Sequence, residues 1–159
     1  MATTPKTQSS AGTTLEIATG APATFDATGF AAQTYTKVGK LKNLGPFGKT
    51  FSLITSEYLD QRGKEKRKGT YDAGSLPVTL DLNGSAGQNA MEDANDSDDD
   101  FSFRVTFQDG TAYYVRGIVT EFMKNVGGPN QMIEGTCKLE LQSFTDGTDE
   151  FASIKVPVV

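Results

Sequence analysis

The chain has 159 residues, 36% of them hydrophobic, with 17 glycines and no tryptophan: one domain, whose lean core is spread over many short elements or completed by neighbouring subunits. Histidine is absent and cysteine occurs once, at Cys137, which excludes the commonest general base, the commonest metal ligand and an internal disulfide. A formal net charge of −5 excludes a protein that grips nucleic acid by neutralising phosphates, though not one that nucleic acid slides past.

Residues 1–12 read as a flexible Thr/Ser/Ala-rich arm without the apolar stretch of a signal peptide, and no segment reaches membrane-helix length. The expectation is a chain made in a cytoplasm, soluble there and independent of membranes. Residues 13–159 form the folded domain. Thr13–Ala18 alternates with Leu15 and Ile17 on one side, the mark of a first strand. Thr19–Gln33 is rich in Ala, Gly and Thr and reads as extended, with Phe25 and Phe30 as anchors. Thr34–Lys42 alternates again, with Gly39 suited to a bulge, and Gly45-Pro46-Phe47-Gly48 is a turn before a strand at Phe51–Ser56.

Over Glu57–Gly74 the alternation is lost. Arg62, Lys64, Lys66, Arg67 and Lys68 crowd around Glu65, and the segment reads as a long inter-subunit loop, since loops of this length usually carry function. Pro77–Leu82 is a strand with Val78, Leu80 and Leu82 on one face. A helix follows at 85–95: Ser85 and Gln88 have capping-box spacing, and Ala86, Ala90, Met91 and Ala94 form a narrow apolar stripe. It runs into the acidic residues Asp96, Asp98, Asp99 and Asp100.

The second half reads as strand throughout. Phe101, Phe103, Val105 and Phe107 alternate with Ser102, Arg104 and Thr106, and Asp109-Gly110 predicts a two-residue hairpin turn into Thr111–Phe122. After the reversal at Gly127-Gly128-Pro129-Asn130, Met132–Gln142 sets Ile133, Cys137, Leu139 and Leu141 against Glu134, Lys138, Glu140 and Gln142. Asp146-Gly147 then turns the chain into a last strand at Phe151–Val158. About eight strands and one helix make a mainly β protein, a β-sandwich or open barrel with one flanking α-helix.

Motifs that suggest chemistry fail on inspection. Gly45–Thr50 ends like a phosphate-binding loop, yet Asn43 stands where the pattern needs Gly, and a strand follows where it needs a helix. A calcium loop registered on Asp93 meets Asp98 and Arg104 at its Gly and Glu positions; registered on Asp96 it meets Phe101 and Phe107. The acidic run therefore reads as a solvated loop. Cys137 sits on the apolar side of its strand as a small core residue, and no His or Cys partner activates any Ser. No catalytic residue, cofactor or metal site is expected, and the protein is read as a non-enzyme.

The order of several short stretches resembles the tail tube proteins of siphophages, the family typified by the lambda tube subunit. They are Ala21–Ala27 with Gly29-Phe30, Tyr35–Gly39, Gly45–Gly48, Tyr58-Leu59-Asp60 and Lys68–Gly74, followed by the Gly87-Gln88 helix entry, the Phe-rich hairpin and the GGPN reversal. The Asp run before Phe101 matches no family feature. The resemblance implies hexameric rings stacked into a tube, each subunit giving about four strands to an inner barrel that only hexamerisation completes. Roughly 24 strands at ~4.8 Å spacing and ~40° tilt close at a backbone diameter of ~48 Å, leaving a bore of ~38 Å for duplex DNA. It also implies a virion tail as location, with tape measure, tail tip and tail terminator proteins as partners. DNA passes through without specific binding.

Within that frame, Glu134, Glu140 and Gln142 are expected to face the lumen, with Lys138 an exception among them. The basic segment Arg62–Lys68 is expected to dock on an acidic surface of another subunit, with Asp96, Asp98, Asp99 and Asp100 as its partner. Ile154–Val159 suits an edge strand added to a neighbour and an ordinary last strand equally. Two alternatives remain: a tube protein of a contractile injection or secretion system, and a monomeric β-sandwich ligand-binding module, which the absence of Trp disfavours.

Overall fold

The computed structural model describes residues 6–157. In chain order it comprises β1 (Thr14–Ala18), α1 (Ala27–Ala31), β2 (Thr36–Val38), β3 (Leu41–Leu44), β4 (Thr50–Glu57), β5 (Lys64–Asp72) and β6 (Ser75–Asp81). Then come α2 (Ala86–Asn95), β7 (Phe101–Thr106), β8 (Ala112–Asn125), β9 (Glu134–Gln142), β10 (Phe144–Thr145), β11 (Glu150–Phe151) and β12 (Ile154–Val156). The main sheet runs β2-β1-β7-β8-β9-β6-β3, with β12 pairing the first residues of β8. Every pairing in it is antiparallel.

Its two end strands, β2 and β3, are consecutive in the chain. The reversal at Gly39-Lys40 sends one to each end of the hydrogen-bonded path, so the sheet rolls up without closing. Lys40 takes a left-handed φ of 57° there, and the stretch read as one bulged strand is therefore two strands on opposite edges. Inside the roll, Leu15, Ile17, Val38, Leu76, Val78, Leu80, Phe103, Val105, Val115, Cys137 and Leu139 are fully or almost fully buried, with Met91 and Ala94 of α2 among them. Burial pushes the Cys137 thiol up to about 12, which keeps it neutral and inert.

Helix α2 is held by Gln88. Ser85 accepts the Gln88 backbone N–H at 3.4 Å, but the Gln88 side chain does not reach back to complete the box. It donates to the Gly39 and Asp81 carbonyls, both at 2.8 Å, and accepts the Asn83 N–H at 2.9 Å. Gly87 permits this packing, because a Cβ there would lie 2.1 Å from the Lys37 carbonyl oxygen.

The other face of β1, β7 and early β8 is covered as well. Phe30, Tyr114 and Phe144 form a second buried cluster, flanked by Phe25, Tyr35, Phe151, Ile154 and Val156. The Thr19–Gln33 segment supplies Phe25 and Phe30 and is not wholly extended: Asp26 caps the one-turn helix α1 by accepting the Gly29 N–H at 2.7 Å. Beneath it Arg116, nearly buried, donates to Ser102 Oγ at 3.1 Å and to the Asp100 carbonyl at 3.2 Å.

Two further readings are corrected and one open alternative is decided. The turn after β7 has three residues between the Phe107 and Thr111 pair, with Gly110 left-handed (φ 91°), not two. Ile133 lies before β9 and is exposed instead of joining the core face. Ile154–Val156 pairs with Ala112–Tyr114 of its own chain, as an ordinary last strand. Residues 1–5 of the expected arm, and 158–159 of the expected last segment, lie outside the described residues.

Candidate assembly surface

Four strands of the sheet, β8 in its second half, β9, β6 and β3, present a face that no other element among the described residues covers. Register puts Glu134, Thr136, Lys138, Glu140 and Gln142 of β9 on it, beside Ser75, Pro77, Thr79 and Asp81 of β6. Alternation along β9 explains this placement, since Gly135, Cys137, Leu139 and Leu141 point into the core. From β8, Glu121 faces Lys138 and the exposed Met123 faces Thr136, the one large apolar side chain among the described residues exposed on an otherwise largely polar face. Charge on this face is paired: Lys42 lies 2.7 Å from Glu134 and 3.6 Å from Asp81, and Lys138 lies 2.9 Å from Glu140. Hydrogen bonding to Glu134 and to Glu140 raises the pKa of Lys42 and Lys138 respectively, so both remain cations. Four carboxylates (Asp81, Glu121, Glu134, Glu140) thus outnumber two occupied lysines. Gln142 donates to Asp100 Oδ1 at 3.3 Å.

The segment read as a long loop over Glu57–Gly74 is mostly strand. β4 and β5 form their own two-stranded hairpin, exposed along almost its whole length, with only residues 58–63 outside the ladder. Alternation failed as a guide because neither face is buried within the chain. Register splits the basic residues that the sequence grouped. Lys64, Lys66 and Lys68 lie opposite Glu57, Thr55 and Leu53 on one face, Arg67 lies opposite Ile54 on the other, and Arg62 is in the tip. Lys64 pairs with Glu57 at 2.5 Å, and Lys68 lies over the Phe51 ring. Leu53, Ile54, Tyr58 and Leu59 are all at least half exposed.

The acidic run begins at Asp96, the C-cap of α2, and ends at Asp100, whose carbonyl is fixed by Arg116. Among the described residues no ion pair joins this run to the hairpin within one copy. Sequence reasoning missed a second exposed apolar patch, Val126, Met132 and Ile133, in the turn between β8 and β9. The departure of Ile133 from its strand was the hidden cause. Also among the described residues, no three His, Cys, Asp or Glu side chains converge to hold a metal, and no helix is long and apolar enough to cross a membrane.

An unclosed sheet with an uncovered face and a projecting hairpin suits a subunit that others complete, and solved structures share the fold. A chain of the anti-feeding prophage baseplate, solved with 6-fold symmetrisation, matches with a TM-score of 0.61 at 10% identity, covering 94% of this chain and 96% of that one. A chain from the tail of an empty gene transfer agent particle gives 0.61 at 12% identity, with 84% and 92% covered. The SPP1 tail tube gives 0.58 at 16% identity, with 90% and 75% covered. The fold is that of tail tube proteins. Residues 17–143 match the family described as lambda phage tail tube protein, and the chain belongs to that family. It is a structural component of a virion tail rather than an enzyme. No curated protein matches its sequence.

Proposed function

We propose that the chain assembles into hexameric rings that stack into a tail tube and that the bare β8-β9-β6-β3 face lines the DNA-conducting lumen. The single observation that carries this reading is that face itself, four strands wide, largely polar and uncovered among the described residues. A conduit must enclose DNA without holding it, because each phosphate bound by Lys or Arg adds affinity that would slow passage. Lys138, the exception on β9, is engaged by Glu140, and Lys42 by Glu134, so a wall containing Glu134, Glu140 and Gln142 offers DNA no unengaged cation from these two lysines. Between a phage tube and the tube of a contractile injection or secretion system, the match to the lambda phage tail tube family favours the phage tube.

In this reading the β4–β5 hairpin is the arm that joins subunits, its basic residues Arg62, Lys64, Lys66, Arg67 and Lys68 seeking Asp96–Asp100 of another copy. Tape measure, tail tip and tail terminator proteins are the further partners expected, with assembly in the host cytoplasm. Because Lys64–Lys68 are strand, the informative change removes both strands: Ser52–Thr70 replaced by a short turn that keeps the Phe51–Tyr71 pair. The expected product is a folded monomer that makes no tubes in negative stain. Normal tubes from it contradict the role given to the hairpin.

A further inference from the structure

We infer that the groove between α2 and the β8–β9 turn is the seat for the hairpin tip of a second copy, which packs Tyr58 and Leu59 onto Val126 and Ile133. This rests on the reading of the hairpin as an assembly arm and adds where the arm lands. The groove holds about 340 Å³; Leu82, Phe122, Val126 and Ile133 give it apolar walls, and Asn89 and Glu92 of α2 form its rim. Val126 and Ile133 are 64% and 46% exposed, and at the hairpin tip Leu59 is fully exposed and Tyr58 half so. Two exposed apolar surfaces in one chain that do not meet each other are a liability unless each is covered on assembly.

Charge and spacing favour a second copy as the occupant. Beyond Glu92 at the groove rim, α2 carries Asp93 and then runs into Asp96, Asp98 and Asp99, while the hairpin carries Lys66 and Lys68 behind its tip. At ~1.5 Å per helical residue, Asp93 and Asp96 lie about 6–10 Å along the axis from Asn89. At ~3.3 Å per strand residue, Lys66 and Lys68 lie about 7–13 Å behind the last rung of the hairpin, Glu57–Lys64. With the tip in the groove and the shaft lying along α2 toward its C-terminus, the two lysines fall alongside the acidic side chains. Lys64 is already engaged by Glu57, and Lys124 on the groove wall is bonded to Glu92. Apolar contact at the tip and ion pairs along the shaft then fix one register, the pairs chiefly raising the rate of encounter.

The test mixes Leu59→Cys copies with Val126→Cys copies, allows assembly, and oxidises. Cys137 is buried and takes no part. A disulfide-linked dimer is expected in the mixture but in neither variant alone, together with loss of tubes in Val126→Asp while its monomer stays folded by circular dichroism. Tubes of normal appearance that give no cross-link, or normal tubes from Val126→Asp, overturn the inference. Neither result touches the role of the hairpin, which fails separately if the hairpin-less chain still makes tubes.

Discussion

Gln88 does more for this fold than its polarity suggests. It is almost wholly buried, and its amide group joins the β2–β3 reversal, the end of β6 and the entry to α2. Substituting Gln88→Leu keeps the volume but leaves two carbonyls and one N–H without their partner, a loss of roughly 2–3 kcal/mol. Urea denaturation of the monomer checks this, and an unchanged midpoint would show that water replaces the amide. The sequence exposed Ser85 and Gln88 as a cap by their spacing, yet it could not show where the Gln88 side chain goes. Its acceptors are 7 and 49 residues away, and no local pattern encodes them. Phe25 and Phe30 were legible as anchors because a Gly/Ala/Thr-rich stretch has little else to bury; that they cover the back of the β7 strand was not.

Elements with one face in the core were legible because burial writes alternation into them. β1, β6, β7 and β9 each lie within two residues of the expected spans, and of the apolar stripe expected on α2, Met91 and Ala94 face the interior while Ala90 is half-buried and Ala86 exposed. The β4–β5 hairpin broke that logic, since both of its faces are exposed in the single chain and its composition answers to something outside. Isolated two-stranded hairpins are marginal in water, and this one leans on Phe51 against Tyr71, 5.5 Å apart, at its base. Backbone amides of residues 52–69 should therefore exchange with deuterium within seconds in the monomer and become at least 100-fold slower in assembled tubes. Equal rates in both states would mean that the hairpin orders on nothing. The Gly39-Lys40 break was illegible for a related reason: strand alternation continues on both sides of it, and only the separate partners of β2 and β3 reveal two edges.

At the scale of the whole molecule, one face of the sheet is finished and another is not. The aromatic cluster around Phe30, Tyr114 and Phe144 seals the back of β1 and β7, whereas the largely polar face of β8, β9, β6 and β3 has no cover among the described residues. Such asymmetry is expected of a subunit whose surroundings are supplied by copies on one side and by an aqueous bore on the other. An acidic balance suits that bore, because an excess of carboxylates holds a duplex away from the wall. Electron cryomicroscopy of the purified, polymerised protein tests this most directly, at a resolution that shows side chains. The expected map is a hollow tube of stacked six-membered rings with Glu134, Glu140 and Gln142 lining a bore of ~38 Å. A map that places those three side chains on the outside of the tube, or buried between rings, would contradict the account.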